Sequence, residues 1–322
     1  MPVVPSSYRA PPGFSNGHVQ TVFAALIRQV NVVTGARKRI EIADGDFLDL
    51  DMALNGNRRV AILSHGLEGS SRQTYVQGMA RALFRNGWDV AAWNFRGCSG
   101  EFNWLLRFYH SGASQDLHVV VDAVLSQRQY ERIALVGFSL GGNVTLKYLG
   151  ERGGELPAAI SDAVVFSVPC DLGASAARLA SWFNRIYMRR FLRTLAAKIR
   201  AKRPAFPAQI DVGGLEDIRT FEEFDGRYTA PLHGFADAHD YWRKCSSRAF
   251  LPGIRVRTLL VNAHNDPFLA PSCFPLEEAR DSEWLHLEIP LSGGHVGFVS
   301  FVSSGDYWSE IRTTEFLEGG AP

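Results

Sequence analysis

From Val60 onward the chain alternates short, continuously apolar runs with stretches in which apolar residues recur at helical spacing. The runs are VAILS (60–64), WDVAAWNF (88–95), RIALVGF (132–138), DAVVFSVP (162–169), RTLLVNA (257–263) and LHLEIPL (285–291). QGMARALFRNG, DLHVVVDAVLSQ and LGGNVTLKYLG stand between the earlier ones. Unbroken apolarity marks a strand covered on both faces, and strand and helix in turn mark a parallel sheet. Ahead of this series, RKRIEIADGDFLDLDMALNGN reads as a hairpin. Asp44-Gly45 is its turn, after which Leu48, Leu50, Met52 and Leu54 alternate with polar or small residues. The pattern predicts an α/β fold whose sheet has about eight strands, mostly parallel and flanked by helices.

The series breaks between Cys170 and Phe250, where helix formers dominate and no strand pattern appears. A segment of that length is too long for a structureless loop in a compact domain. We therefore expect residues 1–322 to form one domain, with a helical lid inserted at 171–250.

Composition narrows the class. A hydrophobic fraction of 46% with 21% charged residues is that of an ordinary globular protein, and a net charge of +1 gives no reason to expect a nucleic-acid partner. The opening MPVVPSSYRAPPGFSNGH lacks the basic and apolar regions of a signal peptide, and no apolar run approaches the roughly 18 residues of a membrane span. The expectation is a soluble, cytoplasmic protein. Cys98, Cys170, Cys245 and Cys273 are widely spaced, so neither a zinc site nor a disulfide framework is signalled and buried free thiols are the default.

Candidate chemistry begins at VGFSLGGN (136–143). A strand running into a helix through a sharp turn holds the central residue of G-x-S-x-G in strained backbone above the sheet edge, and its neighbours must be small. Gly137 and Gly141 meet that demand around Ser139. The bland alternative is a tight turn with a helix-capping serine, so partners must decide. In this arrangement the N–H of Leu140 is one oxyanion donor at a helix N-terminus, and the N–H of Leu67 in SHGLEGSS (64–71), after the third strand, is the other. The base should follow the last strand. His295 in LSGGHVGF does so, with glycines that let the loop return over the site, whereas His286 lies in that strand and His264 in the loop before it. The acid should leave the preceding strand, where Asp266 stands before Pro267; Asp281, Glu283 and Glu288 are weaker rivals. Asn-Asp-Pro is also an ordinary turn sequence.

Taken together, SNGHVQTVF, HGLEGSS, NFRGCSGEFN, FYHSGASQD, GFSLGGN, TAPLHGFADAHDYW, NAHNDPF and GGHVGF follow one another in an order that resembles the YheT-like α/β hydrolases, relatives of the mammalian α/β-hydrolase-domain proteins of the one-and-three type. The resemblance spans nearly the whole chain. It implies the α/β-hydrolase fold, a charge relay of Ser139, Asp266 and His295, hydrolysis of carboxylic esters, a small-molecule ester as partner, and no cofactor. Some relatives act on medium-chain lipids or transfer acyl groups to alcohols, so acyl transfer from a thioester and lipid hydrolysis stand as alternatives, with a non-catalytic binder of the same fold behind them. One departure is SNGHVQT, where the family pattern is nearer to NPHLQT; it falls in a packing segment and is expected to leave the relay untouched.

Three motifs need other accounts. Arg96 pairs either with a substrate anion or, as we prefer, with a loop acid such as Asp116. Cys98 has no base beside it and reads as a buried thiol. Residues 182–203, WFNRIYMRRFLRTLAAKIRAKR, carry eight basic residues, no acid and an apolar stripe. Such a helix by default packs on its own domain with its charges solvated; the alternatives are an anionic membrane surface or a negatively charged acyl substrate such as an acyl-CoA. His233, Asp237, His239 and Asp240 are too loosely spaced for a zinc signature, and no metal is expected. Oligomeric state is not legible in the sequence.

Overall fold

Each continuously apolar run becomes a strand whose residues feed two cores in alternation. The computed structural model describes residues 3–319. In chain order the elements are β1 (Val3–Val4), α1 (Gly17–Leu26), β2 (Ala36–Glu41), β3 (Phe47–Ala53), β4 (Arg59–Ser64), α2 (Thr74–Arg85), β5 (Asp89–Asn94), α3 (Ser114–Gln127), β6 (Arg132–Phe138), α4 (Leu140–Arg152) and β7 (Ile160–Phe166). There follow α5 (Leu172–Ala180), α6 (Arg185–Lys202), α7 (Phe221–Phe224), α8 (Ala230–His233), α9 (Ala238–Cys245), β8 (Arg257–Val261), α10 (Leu276–Arg280), β9 (Leu285–Glu288) and α11 (Trp308–Leu317).

The nine strands form one sheet in the order β1-β9-β8-β7-β6-β4-β5-β3-β2, and every pairing is parallel except β2 with β3 and β3 with β5. Ile62, Leu135 and Leu260 point into the core on one face of the sheet, while Ala61, Leu63, Val136 and Leu259 point into the core on the other. The ninth strand, β1, was not anticipated: two valines in a proline-rich opening carry no period, and only pairing with β9 defines them.

The hairpin forms as predicted, with Gly45 at φ +84° in its turn. Its polar positions behave otherwise than alternation suggests, because all of β3 is buried. Asp49 and Asp51 lie beneath Arg39 and Arg37 of β2, whose guanidinium groups donate to them at 2.8 and 2.7 Å. Paired in this way, a carboxylate tolerates burial that it would resist alone.

Between β7 and β8 the chain builds α5 to α9, which share a separate apolar cluster that includes Met188, Leu192, Ile199, Phe224, Tyr241 and Trp242. This helical segment covers the end of the sheet from which β4, β6, β7 and β8 emerge.

Candidate active site

Four loops leaving the sheet converge at one point. The first is the turn from β6 into α4, where Ser139 sits at φ +53°, ψ −119°. A non-glycine residue there is strained and persists only when its surroundings over-determine it. They do so here: the Ser139 N–H donates to the Phe166 carbonyl at 2.9 Å, and its own carbonyl accepts from Asn143 at 3.0 Å. A Cβ on Gly141 would lie 2.3 Å from the Ser64 carbonyl oxygen, and one on Gly137 2.7 Å from that of Gly141, so both glycines are required by close backbone approach.

Asn143 explains the last letter of GFSLGGN. Its amide donates to the Ser111 and Cys245 carbonyls at 2.8 and 2.9 Å and accepts from Ser247 N–H at 2.9 Å, tying the start of α4 to the loop before α3 and to the end of α9.

His295 and Asp266 arrive from the loops after β9 and β8. Nε2 of His295 lies 2.9 Å from Ser139 Oγ, and Nδ1 lies 2.9 and 3.1 Å from the two Asp266 oxygens. The Asp266 side chain is fully covered and also accepts from Phe268 N–H at 2.9 Å. With Nδ1–H donating to the carboxyl group, Nε2 is left free to accept the serine proton. The rivals lie elsewhere: Glu288 is buried against Arg312, His286 is in β9, and Asp281 follows α10.

The N-terminal segment corrects one expectation. SNGHVQT does not lie apart from these loops. A Cβ on Gly17 would stand 2.0 Å from the Asn265 carbonyl oxygen, next to Asp266. Thr21 Oγ1 accepts the His295 N–H at 2.8 Å, Asn265 accepts from Gly294 N–H at 3.0 Å, and Ser167 Oγ accepts from Val296 N–H at 2.9 Å. Sequence reading missed Gly17, Thr21, Asn265 and Ser167 as supports of the histidine loop; the density of matching motif around Gly17 and Thr21 was the available signal.

The fourth loop, after β4, holds Leu67. Gly66 N–H donates to Tyr75 Oη at 2.9 Å, and the Glu68 backbone sits at φ +54°, its N–H donating to Tyr109 Oη at 2.9 Å. Among the described residues, the N–H groups of Leu67 and Leu140 have no hydrogen-bond acceptor. His65 braces the loop from below. Its Nε2 accepts from Phe95 N–H at 3.2 Å, so its proton is on Nδ1, which donates to the Gly66 carbonyl at 2.8 Å. Burial holds its pKa down to about 3, and the ring is neutral.

Glu68 is also bound from above. Lys198 of α6 donates to it at 2.7 Å and lies 3.0 Å from Cys98 Sγ. Burial opposes the lysine charge, but the neighbouring thiol and carboxylate outweigh it and raise its pKa. Cys98 is buried, with its thiol pushed up to about 11 by burial. Arg96 makes a two-pronged bridge to Asp116 at 2.7 and 2.9 Å and reaches Asp44 and Asp46.

An apolar pocket opens beside Ser139 and His295, walled by Leu172 and Leu179 of α5, Phe191 and Leu195 of α6, and Phe221 and Phe224 of α7. Asp225 interrupts it, accepting from Trp242 Nε1–H at 2.8 Å and Thr229 Oγ1–H at 2.6 Å, with its pKa pushed up to about 6 by burial. His233, Asp237, His239 and Asp240 do not converge: Asp237 caps α9, Asp240 pairs with Lys244, His239 with Glu222, and His233 packs at a tilt against His110.

A mostly parallel sheet with a serine on a strand-to-helix turn, an imidazole and a carboxyl in line, and a helical cover define a protein of the α/β-hydrolase class. Residues 61–299 match the α/β-hydrolase-fold family. An esterase-named protein of Escherichia coli (strain K12), YheT, is 35% identical over 95% of this chain and 91% of its own. Phospholipase ABHD3 of Mus musculus is 29% identical over 92% of this chain and 74% of its own. The esterase Pf2001 of Pyrococcus furiosus shares the fold at a TM-score of 0.59 and 17% identity, covering 90% of this chain and 97% of that one. The chain belongs to the YheT-like branch of the α/β-hydrolase family.

Proposed function

We propose that this hydrolase cleaves carboxylic esters of short- or medium-chain acyl groups by a covalent acyl-serine route. The observation that carries the reading is the line from Ser139 Oγ through His295 to buried Asp266, with both links at 2.9 Å, opening into an apolar pocket. His295 Nε2 takes the Ser139 proton as Oγ attacks the ester carbonyl. Asp266 fixes the ring's tautomer and stabilises the imidazolium that forms. The N–H groups of Leu67 and Leu140 hold the oxyanion, and His295 then returns the proton to the leaving alcohol. Water, deprotonated by His295, attacks the acyl-serine; His295 then gives that proton to Ser139 Oγ as the C–Oγ bond breaks, which releases the acid and restores the neutral imidazole. Every step uses side chains, backbone and water, so no cofactor enters. In this reading the segment 171–250 is the lid, and its aromatic wall receives the acyl chain.

A lipid ester is the second reading, supported by the apolar pocket and by the phospholipase name of the mouse relative. Acyl transfer to an alcohol uses the same acyl-serine and differs only in the nucleophile of the second step. Fluorophosphonate labelling tests the core of the proposal: wild type should be labelled and Ser139→Ala should not. A folded wild type that resists labelling would point instead to a binding protein. Turnover across esters of increasing acyl length, with and without added alcohol, separates the substrate readings.

A further inference from the structure

We infer that the outer face of α1 together with the turn at 182–184 and the first residues of α6 forms a docking surface for an anionic lipid membrane. The inference is independent of the serine chemistry proposed above. Trp182, Phe183 and Ile186 are 73%, 81% and 82% exposed, three large apolar side chains presented to solvent within one turn. Helix α1 is inverted relative to an ordinary surface helix. Its inner face is Gly17, Gln20, Thr21 and Ala24, small or polar residues packed on the histidine loop, while Val19, Val22 and Leu26, spaced i, i+3 and i+7, face outward. The two apolar groups adjoin, because His18 of α1 lies 3.1 Å from the Tyr187 hydroxyl of α6 with their rings stacked.

The charge around this patch is predominantly positive: Arg185, Arg189 and Arg193 line one groove with Arg200 and Arg219, where Glu216 is the one acid and is paired with Arg200. Arg185, Arg189, Arg190 and Arg193 are exposed, and none has a carboxylate partner among the described residues. Neither residues 1–40 nor residues 182–203 contain a single acid. Apolar and aromatic side chains that enter the acyl boundary, ringed by arginines that meet phosphate, match an anionic interface. A second copy of the chain fits poorly, since a two-fold contact would press the same arginines against one another. Docking would bring the site to the lipid, because Tyr187 packs on Phe268, Phe268 on His295, and Asn184 donates to the Pro267 carbonyl at 2.8 Å.

The test is flotation of the full chain with vesicles of phosphatidylcholine alone or mixed with phosphatidylglycerol, alongside hydrolysis of a soluble short-chain ester. Wild type should bind the mixed vesicles, and binding should be lost in about 1 M salt, where charges are screened beyond about 3 Å. The combined variant Trp182→Ser, Phe183→Ser, Ile186→Ser should bind at least about tenfold more weakly, from the apolar area removed. Replacing Arg185, Arg189, Arg190 and Arg193 with Gln should weaken binding by about fivefold per charge. Soluble-ester turnover should be unchanged in both, which shows that they are folded. Failure of wild type to float, equal binding to both vesicle types, or undiminished binding by the variants would overturn the inference. So would a wild-type dimer that these substitutions dissolve, with no vesicle binding. Vesicle binding without ester turnover would support the surface while removing the esterase reading.

Discussion

The two regions that meet at the pocket are built by opposite means. On the sheet side, backbone geometry does the positioning: Ser139 is held at φ +53°, and Gly137 and Gly141 allow contacts that no side chain would permit. On the helical side, α5 to α9 pack through an apolar cluster that Phe268 of the loop after β8 joins, and polar ties to the sheet-side loops include Lys198 to Glu68, Asn184 to Pro267 and Tyr241 to Ser111. Reacting groups tolerate little displacement, whereas a binding wall can vary; under the proposed function, rigid backbone would carry the chemistry and packed side chains the selectivity. Substitutions on the two sides should therefore separate rate from stability and chain-length preference.

The largest expected effect falls on the sheet side. Ser139→Ala should lower kcat by about 10⁴- to 10⁶-fold, and Asp266→Asn by about 10⁴-fold through loss of the correct tautomer. Neither should lower the thermal midpoint, because Ser139→Ala removes one hydroxyl and Asp266→Asn keeps the shape. Kinetics paired with calorimetry measures both. Loss of rate that tracks loss of fold would break the division of labour drawn here.

The tie between the regions comes next. Lys198→Met leaves Glu68 buried without its cation, and breaking one half of a buried pair costs about 3–5 kcal/mol. A double-mutant cycle with Glu68→Gln checks it: the double variant should recover most of the stability lost in Lys198→Met. Rate should also fall, because Leu67 precedes Glu68 in the loop that Lys198 holds. Additive losses would mean that the helical cover and the Leu67 loop are not coupled through this pair.

How far the sequence could be read follows the same division. Strands buried on both faces announce themselves by unbroken apolarity, and Ser139, Asp266 and His295 could be placed by chain order, because each leaves a strand end in fixed succession. Supports that act across long separations left no such trace. Gly17 near Asn265, Thr21 under His295 and Lys198 on Glu68 are pairs that only the folded chain brings together. Asp49 and Asp51 misled in the other direction, since a polar position in a strand normally faces water unless, as here, arginines close over it. The pocket wall was out of reach because α5 to α9 pack by shape, and aromatic content alone does not say which rings line a cavity.

Gly17→Ala tests the unseen support. Its new methyl would collide with the Asn265 backbone, so the Asp266 turn must shift. A displacement of that kind should cost about 10- to 100-fold in kcat, with KM and chain-length preference unchanged because the pocket wall is on the other region. A change in KM alone would show that α1 acts on the wall and not on the acid.

Acid should act on both regions at once, and more gently. His65 on the sheet side and His233 on the helical side have pKa values held down to about 3 and about 4 by burial, and His110, which packs against His233, is lowered well below the ordinary value. A histidine neutral in the fold but free to protonate when unfolded gives stability that is complete above its ordinary pKa and is lost as pH falls below about 6.5. Between pH 7 and pH 6 that loss is about 0.7 kcal/mol each for His65 and His233. Asp225 works the other way: its pKa is raised to about 6, so its share of stability is lost as pH rises through that value and recovered as pH falls, which returns roughly half of one histidine's loss. Urea unfolding at pH 7 and pH 6 should show the net decline, and His233→Gln should make it shallower. Asp225→Asn should make it steeper. If His233→Gln leaves the slope unchanged while a His65 variant removes it, acid sensitivity belongs to the sheet side alone, and the helical cover is better insulated from protons than its neutral histidine pair implies.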